Sequence, residues 1–424
     1  MCKLLILTCF MVCLISAYGQ TKDEAADLFS EGQYFLNHED YHEAAYYFRR
    51  IADLYPDNAN YSFKLGECYM NLPGSEALAV PCFEKAIQHT VAKKRYNQKD
   101  FGETNAPIHA YFYLGNVYRM VNRLDDALRV YNLFTSSPFY YGNYNETIVE
   151  NEIKSCERAK IIQDNPVDMV EECLDSMINT SAAEVNPVIS EDENTLIFVR
   201  RLKFYDAIFL TVRKNGCWSP LENLNPVIGS DGDLYPTCLS ADGKELYLIK
   251  TGGNRDIWLS VKNTSGWSKA EKLNMHINTK ADETSAWLSD DGKTLYFASS
   301  RKGGYGGRDI YYARRNEDNQ WGKAHNMGKM INTAFDEDDP CLTQEGNTLF
   351  FSSKGHYSMG GFDIFYSRFT DHKWSEPVNL GFPINNTSDN LGFIAIKEGK
   401  AGYYSRINAA DPSREADIFR VLIK

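Results

Sequence analysis

The stretch ETSAWLSDDGKTLYFASSR, residues 283–301, reads as a β-hairpin. It has an acid at Glu283, a short apolar run from Ala286 to Leu288, a turn at Asp291-Gly292, and a second run from Thr294 to Ser299 that ends at Arg301. Glycine supplies the positive φ that such a tight turn needs. Asp309-Ile310-Tyr311 then opens a third strand and Trp321 marks a fourth. The same order recurs at Glu337, Pro340 to Leu342, Glu345-Gly346, Thr348 to Lys354, Asp363-Ile364-Phe365 and Trp374. Five copies, spaced by about 50 to 54 residues with four strand-like runs each, are the signature of propeller blades.

The hairpin turns repeat at Asp242-Gly243 and Glu398-Gly399, and the first copy has Glu193-Asn194, where Asn is the next most tolerant residue. The fourth strands begin near Trp218, Trp267, Trp321 and Trp374, but the fifth copy stops at Lys424 without one. Met169 to Leu174 precedes Ile178-Asn179-Thr180 just as Trp374 to Leu380 precedes Ile384-Asn385-Asn386. The strand 169–174 is therefore expected to complete the last blade, closing the ring and removing its edges. Five blades are predicted over residues 165–424; a six-bladed alternative would need another repeat, and none is visible.

Upstream, residues 20–164 read as paired helices. Leu28, Gly32, Phe35, Ala44, Phe48 and Pro56 are echoed by Leu65-Gly66, Tyr69, Ala79, Phe83 and Ala86, then by Leu114-Gly115, Tyr118, Ala127 and Tyr131. A small residue where two helices approach and large apolar ones between them resembles the tetratricopeptide repeat. Such pairs must stack to bury their apolar faces. The segment Tyr144 to Gln163 is expected to cap the stack, with Ile148, Ile153, Cys156, Ala159 and Ile162 inward and Glu152 the one charge on that side. Asp164-Asn165-Pro166 ends the helix. The fold class expected is a multidomain α+β chain: all-α tetratricopeptide-type repeats followed by an all-β five-bladed propeller.

Residues 1–19 have a lysine at position 3, an apolar run from Leu4 to Ile15 and the small residues Ala17 and Gly19, as a cleavable signal peptide does. The run is too short to span a membrane, and neither Cys9 nor Cys13 follows a lipoprotein-like small residue. A periplasmic location is expected, with an outer-membrane-associated or extracellular one as the alternative. The chain carries 57 acidic against 45 basic side chains, which argues against a nucleic-acid binder, since those show a basic stripe. Its ten cysteines follow no CxxC spacing, so neither a disulfide framework nor a zinc site is indicated.

The five-copy region resembles WD-repeat-like (PD40), TolB-type β-propellers. With the helical repeats before it, the order resembles the N-terminal part of PorE-type envelope proteins associated with type IX secretion. Those proteins continue into an OmpA-like peptidoglycan-binding domain, and this sequence ends within the last blade, so the resemblance does not extend to peptidoglycan. What it implies is a partner among envelope or secretion proteins or peptides, with any membrane association made through partners.

Aligned on their inner strands, the copies place Glu184, Asp233, Glu283, Glu337 and Asn390 at one position. Facing the channel mouth, this ring would attract a cation or basic peptide; accepting backbone hydrogen bonds, its members would be structural latches, the reading favoured for a feature common to every repeat. The fourth copy adds Asp336, Asp338 and Asp339, oxygen ligands suited to a cation but without the Asp-x-Asp-x-Asp-Gly spacing of a calcium loop. The glycines of 303–307 lack GxxxxGK[ST] and open no helix, so they read as turns. No HExxH or GxSxG motif occurs, and no catalytic residue, metal site or cofactor is expected. The expectation is a non-enzymatic interaction adaptor, followed by a glycan or small-ligand binder, and then by an enzyme with an active site in the channel.

Overall fold

The computed structural model describes residues 24–407 and 416–424, so the proposed signal peptide lies outside the described residues. The chain divides into two compact units, 1–156 and 157–424.

The first unit is built of helices α1 (24–37), α2 (Tyr41–Leu54), α3 (Ala59–Met70), α4 (Glu76–Ala86), α5 (Ala110–Met120) and α6 (Leu124–Thr135), with α7 (Glu146–Gln163) running out of it. Each consecutive pair is joined by one glycine against one aromatic ring. A Cβ on Gly32 would stand 3.0 Å from Phe48, one on Gly66 would stand 2.8 Å from Phe83, and one on Gly115 would overlap Tyr131. Asp40 and Asn58 cap α2 and α3 by accepting from the backbone N–H groups of Glu43 and Tyr61. In α7 Cys156 and Ala159 are buried as expected, and Glu152, the one charge on that face, takes the buried Arg119 guanidinium at 3.0 Å. At the start of the helix Val149 is buried and Ile148 is exposed, a departure from expectation.

The second unit is a five-bladed propeller of antiparallel sheets. The inner strands are Glu184–Ile189, Leu234–Leu239, Glu283–Leu288, Glu337–Leu342 and Ile394–Ile396. Met169–Cys173 pairs antiparallel with the last strand, Asp417–Ile423, from Phe419 opposite Cys173 to Ile423 opposite Met169. The ring thus closes by hydrogen bonds between strands some 250 residues apart in sequence, and no blade is left with three strands. The fourth strands are less continuous than the sequence suggests. In blades one, two and four Trp218, Trp267 and Trp374 end a short pair, after which the carbonyls of Ser219, Ser268 and Ser375 accept from Thr211, Ser260 and Ser367 at 2.7 Å.

The hairpin glycines take the left-handed backbone expected of them, as Gly292 does with φ 68°. In blade one Glu193, and not Asn194, holds that position with φ 57°. The strained residue is compensated by its side chain. Its carboxylate accepts from Arg420 Nε at 2.5 Å, from Tyr403 at 2.8 Å and from Lys397, and these bonds hold its pKa at about 2 against the penalty of burial.

Candidate functional site

Five buried asparagines do the joining between blades. Asn278 donates to the carbonyl of Ile257 at 2.8 Å and accepts from its N–H at 2.7 Å; Asn332 does the same to Ile310, Asn385 to Ile364 and Asn179 to Ile418. Asn225 takes Ile208 N–H and gives its own to Asp206 O. Each amide sits in the linker between two blades and satisfies the first backbone groups of the preceding blade's third strand. Sequence reasoning used Asn179 and Asn385 only as landmarks. The signal that would have found them was the pairing of Ile-Asn with the repeated Asp-Ile upstream.

The aligned ring position lies next to these amides. Glu184, Glu283 and Glu337 are fully buried, and each accepts from the N–H and hydroxyl of a threonine four residues back: Thr180, Thr279 and Thr333, at 2.7 to 3.0 Å. Asn390 accepts from Asn386 N–H at 2.8 Å, and Asp233 pairs with Lys250 at 2.9 Å. The same residues' backbones tie the blades together. The N–H groups of Glu283 and Glu337 donate to Arg255 O and Arg308 O in the preceding blade, both at 2.9 Å. These side chains are therefore taken up in linker turns.

Charge compensation differs between copies. Glu184 is paired with Arg200 at 2.6 Å and Glu283 with Arg301 at 3.1 Å. Blade four has Gly355 where blade three has Arg301, and His356 takes over the bond to the linker carbonyl, Ile331 O, at 2.8 Å. Glu337 keeps only Thr333 and Ser353, so burial pushes its carboxyl up to about 7.

The acidic run of blade four opens that blade's inner strand, against blade three. Asp338 accepts from Thr284 at 2.9 Å and from Ser285 at 2.5 Å in blade three, and it receives the Arg308 guanidinium. Asp336 lies 3.6 Å from the same guanidinium and 3.9 Å from Lys354. Arg308 thus stands where a bound cation would, and among the described residues no group of three or more potential ligands is arranged to hold a metal ion. Asp339 sits on a bulge with φ 48° and accepts from Gly392 N–H of blade five at 2.9 Å. Its side chain is partly buried. Burial first, and the Asp338 charge second, raise its carboxyl to about 7. Trp287, on the inner strand of blade three, reaches across to donate to Leu342 O at 3.0 Å and packs against the cores of several blades.

At the opposite end, where the hairpin turns lie, a cavity of about 610 Å³ opens between blades two and three. Asp242, Asp290, Asp291, Lys293, Arg315 and Asn316 line it. Arg315 is fixed by two bonds to Glu245, at 3.0 and 2.6 Å, and by its stacking on Trp321 at 4.5 Å. Burial, then the charges of Glu398 and Asp291, raise the Asp290 carboxyl, so acids from blades three and five converge on that mouth.

No protein family matches this sequence, and comparison with curated proteins finds none similar to it. Among solved structures the propeller is similar to TolB from Acinetobacter baumannii at 15% identity and TM-score 0.40, over 58% of this chain; the match spans 56% of TolB's length. It is also similar to the catalytic domain of a GH62 α-L-arabinofuranosidase from Coprinopsis cinerea, at 11% identity and TM-score 0.41, over 61% of this chain and 98% of that one. A PQQ-bound aldose sugar dehydrogenase from Streptomyces coelicolor matches at 9% identity and TM-score 0.33, over 61% and 99%. These likenesses concern the fold alone. They correct one expectation: propellers of this kind include hydrolases and a dehydrogenase, so the exclusion of enzymatic activity drawn from the sequence does not stand.

Proposed function

We propose that this protein is an exported interaction platform of the gram-negative cell envelope, and that the propeller grips a protein partner with the face carrying its interblade linkers. The observation that carries this reading is the distribution of exposed apolar side chains. Phe204 (87% exposed), Tyr205, Met275 (82% exposed), Tyr305, Met330 and Tyr357 all lie in the loops joining second to third strands or in the linkers between blades. In an antiparallel blade these two sets of connections emerge at the same end, so all six belong to one face. Large apolar groups gathered on one face mark interaction sites. The N-terminal stretch and the resemblance in domain order support the envelope setting and a partner among secretion or outer-membrane components.

A photo-crosslinking residue placed at Phe204 or Met275 in intact cells should capture one common partner that a probe at Lys244, on the hairpin face, does not. Equal capture from both faces, or none from Phe204 and Met275, would sink the proposal. A second reading rests on the cavity between blades two and three, whose polar, charge-mixed lining suits a glycan or another small polar ligand. Binding on a glycan array that is lost in Asp290→Ala would favour it.

A further inference from the structure

The chain as a whole is acidic, with a formal net charge of -12, yet the face that carries Phe204 and Met275 has the opposite balance of exposed charge. In its interblade linkers and in the loops joining second to third strands, Lys203, Arg255, Lys280, Lys302 and Lys329 are exposed, and none of them has an ion pair among the described residues. The exposed acids of the same connections, again among the described residues, are Asp175, Asp231 and Asp389. Two of these are engaged by the fold: Asp175 accepts from Met177 N–H at 3.0 Å and Asp389 from Phe362 N–H at 2.8 Å. The half-buried Asp282 and Asp336 likewise accept from Arg255 N–H at 2.9 Å and from Arg308 N–H at 3.0 Å. Carboxylates on this face hold turns, while its exposed cations are left without a counter-charge.

Each exposed apolar group of the face also has a cation beside it. Lys203 precedes Phe204 and Tyr205, with its Nζ 5.3 Å from the centroid of the Phe204 ring. Lys329 precedes Met330, Lys302 stands three positions before Tyr305, and Met275 shares its linker with Lys280. Tyr357 has the Arg158 guanidinium over its ring at 5.1 Å, and the same group donates to His356 O at 3.1 Å. Apolar groups supply area to an interface, and the charges interspersed among them select which partner can cover it. A neutral or basic partner would desolvate these cations unpaired, whereas one that brings carboxylates pairs them.

We infer that the partner of this face is an acidic protein, whose Asp and Glu side chains meet Lys203, Arg255, Lys280, Lys302 and Lys329 while its apolar groups cover Phe204 and Met275. The inference rests on the reading of this face as a protein-binding one and adds the chemistry of what it binds. The test uses the full chain with a benzophenone side chain at Met275, irradiated with washed envelopes in sodium chloride at about 50 or about 500 mM, across which the screening length shrinks from about 14 to about 4 Å. Capture of one partner should fall at least roughly tenfold at the higher salt, and by a similar factor at the lower salt when Lys203→Glu, Lys302→Glu and Lys329→Glu are combined. The crosslinked segment, read by mass spectrometry, should carry a surplus of Asp and Glu. Lys244→Glu, Lys293→Glu and Lys400→Glu, which add the same charge on the hairpin face, should leave capture unchanged. Should the first triple variant shift the urea midpoint followed by tryptophan fluorescence, the salt series on the unaltered chain decides. Capture that persists through salt and charge reversal, or a crosslinked segment without surplus acid, overturns the inference and leaves the face a protein-binding one. No capture from Met275 overturns both readings. Salt-sensitive binding of the purified chain to vesicles of phosphatidylethanolamine and phosphatidylglycerol, with no protein captured, would assign the cations to lipid and refute an acidic protein partner.

Discussion

Replacing Glu337 with glutamine should make the propeller's stability respond differently to pH, and the structure sets both the sign and the size. Glutamine keeps the shape of the side chain: its carbonyl oxygen can accept from Thr333 N–H while its amide N–H groups donate to the Thr333 and Ser353 hydroxyls, which rotate to accept. What it removes is a titration. The Glu337 carboxyl titrates at about 7 in the fold against 4.5 ordinarily. A group raised in this way contributes stability that is fully present below pH 4.5 and is lost as pH rises through 7. At about 1.4 kcal/mol per pH unit, the loss amounts to about 3 kcal/mol. Asp339 titrates in the same range, so the wild-type profile contains both steps and Glu337→Gln should contain one. The burial of His109, which lowers its pKa to about 4, acts in the opposite sense but in the helical unit. The assay separates the two units, because all six tryptophans fall between Trp218 and Trp374. Urea unfolding followed by tryptophan fluorescence at pH 5, 6, 7 and 8 therefore reports on the propeller. The stability of Glu337→Gln relative to wild type should climb by about 2.5 kcal/mol across that range. A difference that stays flat from pH 5 to pH 8 would refute the reasoning that burial without a guanidinium governs this carboxyl.

The equivalent change in blade three should behave otherwise. Glu283→Gln takes the one carboxylate from the Arg301 guanidinium, which keeps Ser299 and the carbonyls of His276 and Ile277, and should cost about 3 kcal/mol; a neutral outcome by the same urea assay would show that these partners suffice. Asn332→Leu leaves the N–H of Ile310 unpaired inside the propeller, its carbonyl keeping only Met327 N–H, a loss of about 2 kcal/mol in the unfolding free energy; retention of wild-type stability would remove the amides from the role given them here. Gly115→Ala drives a methyl group into the Tyr131 ring and should destabilise the helical unit by about 1 to 3 kcal/mol, seen as an earlier melt in far-ultraviolet circular dichroism with the tryptophan signal unmoved. Substituting a Gly-Ser segment of equal length for Met169–Cys173 exposes the edge of Asp417–Ile423 and should give soluble aggregates in size-exclusion chromatography, whereas a monomer with the wild-type midpoint would mean that closure does not depend on this strand.

The number of blades and the place of each hairpin were written in the sequence, because a propeller blade repeats its hydrogen-bonding needs at a fixed spacing. Glycine at 243, 292, 346 and 399 stands where the turn forces a positive φ, and the apolar run on either side has the period of a strand. The glycine-to-aromatic spacing of the helical unit was equally plain, since Gly32, Gly66 and Gly115 each leave room for one ring about 16 positions on. Only the tertiary structure could show that Glu193 takes a glycine's place and is held there by Arg420 and Lys397, residues more than 200 positions away. Nor does the spacing of Glu184, Glu283 and Glu337 reveal that two have a guanidinium beside them and Glu337 has none, which leaves burial to push the Glu337 carboxyl up to about 7. Local sequence specifies what each segment's backbone must do, because φ, ψ and strand period are properties of neighbouring residues. Burial and charge pairing are properties of surfaces brought together from distant parts of the chain, and they exist only once it has folded.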